Sequence, residues 1–240
     1  VSEQTTTRTP STGEPALLLR GVDVSYSTQL TRVPVLSGVD LAVSRGEFVV
    51  LAGPSGSGKS TLLRVLALVA RPTSGSVQVF GRDVTRAGNP ELRRLRSRQV
   101  TLVYQNPGDN LFDYLSVAEN LRARAQLAGR DDPGPALLER MGLGGTGTWP
   151  TQALSGGQQQ RLALACAVGA GTDVVLADEP TSQLDQRSAE LVVETLTQLH
   201  ELGVTLVVAS HDPRLLGLGP RVVRIRDGRL HPGVEKEGTA

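Results

Sequence analysis

At 240 residues, with 39% hydrophobic and 20% charged side chains, the sequence has the make-up of a globular chain large enough for one domain or a core with an attached subdomain. Its 25 basic and 24 acidic residues leave a formal charge of +1, which argues against nucleic acid or an anionic membrane as the main binding partner. Only 3% of residues are aromatic, so the core must rest on Leu, Val and Ala, and no stretch approaches the roughly 20 apolar residues of a spanning helix.

Residues 1–16 are Thr/Ser-rich with no apolar run of the signal-peptide kind and read as a disordered tail, as do residues 232–240. Strand character opens at residues 17–19 and 22–24. Residues 48–52 form a continuous apolar run before a glycine-rich loop, the pattern of a buried parallel strand. Residues 61–70 then read as a helix with Leu62, Leu63, Leu66, Val69 and Ala70 on one face, ended by Pro72. Further strands are expected at residues 76–80 and 100–104. The basic run Arg93, Arg94, Arg96 and Arg98 lies on a short helix with Leu92 and Leu95 inward, and reads as a solvated face.

The texture changes between Gln105 and Ser155. Residues 116–128 look like an amphipathic helix, with Ser116 as N-cap and Glu119 completing a capping box, and residues 135–141 like a shorter one. Residues 105–155 are therefore expected to form a mostly helical subdomain inserted between core segments 17–104 and 156–231. A helix over 156–167, a strand over 174–177, a helix over 188–202 and a strand over 204–209 complete the pattern. Short apolar runs alternating with helices point to an α/β fold with a largely parallel sheet. The single Cys166 cannot form an intrachain disulfide and fits a reducing cytosol.

Two motifs carry chemistry on their own. Gly53, Pro54, Ser55, Gly56, Ser57, Gly58, Lys59, Ser60 follows the pattern G-x-x-x-x-G-K-[ST], after an apolar strand and before a helix. Glycines free backbone N–H groups to converge on phosphate oxygens, and the helix that follows offers its positive end. Lys59 should reach the β- and γ-phosphates, with Ser60 a ligand of Mg²⁺ and Thr61 beside it. Residues 174–177 end in Asp178 and Glu179, two carboxylates at the carboxyl edge of a buried strand, where open α/β sheets bind ligands. Asp178 suits the Mg²⁺ shell, and Glu179 suits a general base for attacking water.

Leu154, Ser155, Gly156, Gly157 and Gln158, lying between these motifs, resemble the signature motif of ABC ATPases. Ser155 also reads as the cap of the helix that follows. The resemblance runs from about Leu17 to Leu230. It implies a P-loop ABC-type core with an N-terminal antiparallel β portion, ATP and Mg²⁺ as ligands, and ATP hydrolysis. In that family the signature amides face ATP held by a second subunit, so a dimer, most simply a homodimer, should sandwich two ATP molecules. By the same resemblance Tyr26 stacks on adenine, and Gln105 follows its strand as the Q-loop glutamine, a catalytic and Mg²⁺-linked position. Ser182 to Asp185 form the D-loop, and His211 is the histidine near the γ-phosphate.

Membrane attachment would come through a separate transmembrane permease at the cytoplasmic face, with residues 110–115 as the docking surface. The compact chain is nearest in look to the lipoprotein-release and macrolide-export type. The wording from Gln105 to Phe112 is also similar to uptake cassettes, so import stays open beside export, as does a soluble ABC ATPase outside transport. Three positions depart from the usual pattern: Ser182-Gln183 before Leu184-Asp185, Cys166 between Ala165 and Ala167, and Trp149 before Pro150. None is expected to touch a catalytic group.

Overall fold

The computed structural model describes residues 14–27, 31–218 and 221–231. The expected tails fall largely outside these residues, at 1–13 and 232–240. Ala16 lies inside them: it is fully buried and its carbonyl accepts the N–H of Phe80.

The chain opens with β1 (Leu17–Ser27) and β2 (Arg32–Val43), then enters the central sheet at β3 (Phe48–Ala52) and continues into α1 (Lys59–Leu66). It returns through β4 (Ser74–Val79), β5 (Arg82–Asp83) and α2 (Asn89–Arg98) to β6 (Val100–Val103). Helices α3 (Val117–Leu127), α4 (Gly134–Arg140) and α5 (Gly156–Gly169) follow, then β7 (Val174–Asp178) and α6 (Gln186–Glu201). The end consists of β8 (Thr205–Ala209), α7 (Pro213–Gly217), β9 (Arg221–Arg226) and β10 (Arg229–His231).

Among the described residues the strands form two sheets, an antiparallel one in the order β2-β1-β4-β5 and a second in the order β10-β9-β3-β8-β7-β6. In the second sheet β9, β3, β8, β7 and β6 run parallel, and only β10 is antiparallel to its neighbour. The parallel strands read as unbroken apolar runs because both of their faces are covered. Val49, Leu51, Val174, Leu176, Val207 and Ala209 join one core with the antiparallel sheet and α1. Their neighbours Val50, Val175, Ala177, Leu206 and Val208 join a second core with α3 to α6. The strand ends carrying the functional side chains are thus clamped from both faces. Cys166 lies in the second core, and burial pushes its thiol up to about 12.

The capping boxes read from sequence are present at both Ser116/Glu119 and Ser155/Gln158. The helix expected over 61–70 instead starts at Lys59 and stops at Leu66. Leu68 takes a left-handed φ of 59°, and the N–H groups of Val69 and Ala70 both turn back to the carbonyl of Arg64. This reversal closes the helix well before Pro72 and turns Val69 outward, 50% exposed. Leu92 and Leu95 of α2 are buried, with Arg93, Arg94 and Arg98 in solvent, as expected; Arg96 departs from that solvated face, half-buried and donating from Nη1 to the carbonyl of Leu68 at 2.7 Å.

The segment 110–115 is less open than its composition suggests. Leu111, Phe112 and Leu115 are half-buried, and Tyr114 alone among its apolar residues is strongly exposed. The cause is Asn120, fully buried on α3. Its Oδ1 accepts the N–H of Phe112 at 2.8 Å, and its Nδ2 donates to the carbonyls of Phe112 and Ser116 at 2.9 and 3.1 Å. The loop is folded down onto that one side chain.

Candidate functional site

The loop between β3 and α1 is built on steric necessity. A Cβ on Gly53 would stand 2.2 Å from the carbonyl oxygen of Ile225 in β9, and Gly58 has φ 107° with Leu36 against it. Lys59, the first residue of α1, is 8% exposed, and its Nζ donates to the carbonyls of Gly53 at 2.8 Å and Pro54 at 3.1 Å. Ser60 and Thr61 follow in a first turn that carries no acidic residue of its own.

Strand β7 brings Asp178 and Glu179 to the same sheet edge, with β8 between it and β3. Glu179 adopts a left-handed φ of 45°, and its N–H donates to the carbonyl of Ala209 in β8 at 2.9 Å. This turn places its carboxylate between two cation-forming groups: Oε1 lies 3.5 Å from Lys59 Nζ, and Oε2 lies 3.1 Å from His211 Nδ1. Asp178 is held behind Ser60. Burial, the largest influence, raises its carboxyl above the ordinary range; the Ser60 hydroxyl opposes this, and the neighbouring Glu179 adds to it. Its Oδ1 is buried with no hydrogen-bond partner.

Gln105 follows β6 and joins the same edge. Its Nε2 donates to Ser182 Oγ at 3.0 Å, and that hydroxyl donates to the carbonyl of Glu179 at 3.0 Å. Gly53, Lys59, Ser60, Gln105, Glu179 and His211 all line one open cleft of ≈ 630 Å³, together with Pro54, Ser55, Gly56, Gly58 and Thr61. Ser57 turns inward instead: it is 5% exposed, its hydroxyl has no partner, and its carbonyl accepts the N–H of Gly228.

The remaining predicted residues lie elsewhere. Tyr26, opposite Val33 at the end of β1, is 46% exposed and is not among the cleft's lining residues. Ser155 caps α5: its Oγ accepts the N–H of Gln158, whose side chain returns the bond to the N–H of Ser155 at 2.9 Å. Gly157 packs so closely on Ser188 that a Cβ would stand 2.6 Å from that residue's own Cβ, and Gly156 faces Leu184. Asp185 caps α6, accepting the N–H of Ser188 at 3.0 Å, and the Ser188 hydroxyl and N–H hold its carboxyl below the usual range. None of Ser155, Gly156, Gly157, Gln158 or Asp185 lines the cleft of its own chain.

Residues 36–182 match the family described as ABC transporter. The chain belongs to that family. It is an ABC ATPase cassette, and its chemistry is ATP hydrolysis. An uncharacterised ABC transporter ATP-binding protein of Thermotoga maritima is 41% identical over 218 residues, covering 89% of this chain and 92% of the relative. The macrolide export ATP-binding/permease protein MacB 1/2 of Paracoccus denitrificans is 42% identical over 225 residues, 91% of this chain and 33% of that protein. The chain spans about a third of the length of the MacB relatives it matches. Among solved structures, the dimeric cassette MJ0796 bound to ADP and Pi in a post-hydrolysis state superposes with a TM-score of 0.83 at 30% identity, covering 93% of this chain and 100% of that one. CbiO1 of Clostridium perfringens, part of the ABC transporter complex cbiONQ, follows at 0.77 and 26%, covering 91% and 87%. No helix among the described residues of the ABC cassette is long and apolar enough to cross a membrane.

Proposed function

We propose that the chain is the ATP-hydrolysing subunit of an export-type ABC transporter, working as a dimer around two ATP molecules and driving a permease. The observation that carries this reading is the meeting of Lys59, Glu179 and His211 at one sheet edge, beside a glycine loop that opens a helix. Lys59 and the loop N–H groups bind the β- and γ-phosphates. Glu179 accepts a proton from the attacking water as it adds to the γ-phosphorus and ADP leaves. His211 Nδ1 lies 3.1 Å from the other oxygen of that carboxylate, without hydrogen-bond geometry, and faces the same cleft. Gln105, tied to Ser182, orients water and reports on the loop beyond it.

The donor set suits Mg²⁺. Among the described residues there is no cluster of three or more His, Cys, Asp or Glu of metal-binding kind. What is present is the Ser60 hydroxyl, the Gln105 amide and Asp178, with a buried carboxylate oxygen lacking any partner. An ion that keeps several of its waters and shares phosphate oxygens needs no more than this. Bound there, Mg²⁺ would neutralise charge on the phosphates.

Tyr26 is proposed as the adenine platform, and Ser155, Gly156, Gly157, Gln158 and Asp185 as the face offered to the partner's nucleotide. That the signature residues and Asp185 do not line the cleft of their own chain fits a site completed by a second copy, and the dimeric relative at a TM-score of 0.83 supports it. Export is favoured by relatives named for macrolide export at 38–42% identity. A permease at the inner membrane face would place the cassette in the cytoplasm. The test is assembly: the Glu179→Gln variant mixed with ATP and Mg²⁺ should elute from a sizing column as a dimer, and without ATP as a monomer. A monomer at every ATP and protein concentration would overturn the sandwich.

A further inference from the structure

His211 carries the second contact to Glu179, yet its side chain is 75% exposed and no packing holds it. Its position must come from the backbone of the loop between β8 and α7. That loop is fastened at one residue, the next in sequence. Asp212 is 8% exposed, and its N–H donates to the hydroxyl of Ser210, a fully buried residue whose own N–H donates to Leu51 in β3. Its carboxylate accepts from Arg214 Nε and Nη2 at 2.9 and 2.8 Å and from the Arg214 N–H at 2.9 Å. The hydroxyl of Thr181, a 5% exposed residue between Glu179 and Ser182, lies near enough to help lower the Asp212 carboxyl. Arg214 Nη1 then reaches on to the carbonyl of Gln186, the first residue of α6, at 3.1 Å. Asp212, through Arg214, therefore links the His211 loop to the start of α6, with Thr181 of the Glu179 loop beside the same carboxylate.

We infer that Asp212 is the positioning residue that presents His211 to Glu179. The placement of its neighbours supports this over plain stabilisation. Two of them, Thr181 and, through Arg214, Gln186, belong to the strand-to-helix connection that carries Glu179. Burial pushes the Asp212 carboxyl up, but Arg214 and Thr181 outweigh it and hold the group below the usual carboxylate range, so the carboxylate is charged throughout the working pH range. The charge-assisted fork with Arg214 fixes the start of α7, which Asp212 also caps, and any shift of the loop would strain the Arg214 bond to Gln186. The inference rests on the proposed catalytic role of His211.

Steady-state ATPase kinetics on the purified 240-residue chain test it. Asp212→Ala should lower kcat by about 10–100-fold while KM for ATP stays within about threefold, because no phosphate contact is touched. The deciding readout is non-additivity: in a His211→Ala background, Asp212→Ala should cost less than about twofold more. Thr181→Val, matched in volume, should lower kcat about 3–10-fold and show the same masking; it serves if the Asp212 variant does not fold. Equal fractional losses with and without His211 would overturn the inference and leave the role of His211 standing. Wild-type turnover in Asp212→Ala, or in Thr181→Val, would overturn it as well. Full activity in His211→Ala would overturn both the inference and the assignment of His211 on which it rests.

Discussion

Glu179 Oε1 lies 3.5 Å from Lys59 Nζ, so the residue proposed to accept a proton touches the residue proposed to bind the phosphates. The two arrive from strands that are not neighbours, and a left-handed turn at Glu179 closes the gap. Glu179→Gln keeps this shape and removes the proton acceptor. ATP should still bind, measured by fluorescent-nucleotide titration, while turnover falls by about two to four decades. If affinity and turnover drop together, Glu179 is holding structure or metal.

Lys59→Ala removes the one ammonium seated in the loop and should abolish hydrolysis while greatly weakening ATP binding. The same variant tests the composite site. Ser155→Arg should block the signature face of α5, which the cleft of its own chain does not use. Each variant alone should be inactive. A mixture forms dimers with one intact composite site, and partial ATPase activity that appears only on mixing would place the two motifs on opposite subunits. A mixture as silent as its parts would count against that placement.

Tyr26 is 46% exposed near the end of β1, opposite Val33. Tyr26→Ala should weaken ATP binding by about 1–2 kcal/mol, the scale of base–aromatic stacking, and Tyr26→Phe by much less. Calorimetric titration of both variants decides. Equal losses would point to the hydroxyl, and no loss in either would remove Tyr26 from the site.

Asn120 predicts stability rather than chemistry. Asn120→Ala strands the N–H of Phe112 and frees the 112–116 turn, which should cost about 1–3 kcal/mol in a denaturant titration. Asn120→Asp keeps the acceptor for Phe112 but turns the three donated bonds, to the carbonyls of Phe112, Leu115 and Ser116, into oxygen–oxygen contacts at a fully buried site, and should cost at least as much as the alanine variant. An unchanged midpoint in the alanine variant would mean the turn is held by something else.

Much of this was legible in the chain because its signals are local. The runs at Phe48–Ala52 and Val174–Asp178 announce strands covered on both faces, and Ser116/Glu119 and Ser155/Gln158 announce helix starts through side chains three residues apart. What escaped depends on distant partners. Strand β2 alternates buried Leu36, Val39, Leu41 and Val43 with exposed neighbours, but Pro34, the left-handed Gly38 and several register shifts against β1 break the pattern. The early stop of α1 is a backbone event at Leu68, a residue type that gives no warning of a positive φ. The importance of Asp212 lies in Thr181 and Arg214, and that of Asn120 in the loop it pulls down. Neither residue stands out by type. The apolar letters of 110–115 suggested a broader exposed face than one strongly exposed tyrosine provides.

The burial of Cys166 has a practical consequence for anyone wishing to watch the subunits meet. It is the only cysteine in the chain, it is 1% exposed, and its thiol is pushed up to about 12, so almost none of it is thiolate at neutral pH. The natural sequence is therefore already a silent background for sulfhydryl reagents. A single cysteine placed at an exposed position outside the proposed nucleotide and signature faces, such as Leu127 at the end of α3, would take a spin label or fluorophore alone. Distances between the labels of two copies could then be followed through a catalytic cycle without first stripping the protein of its native thiol.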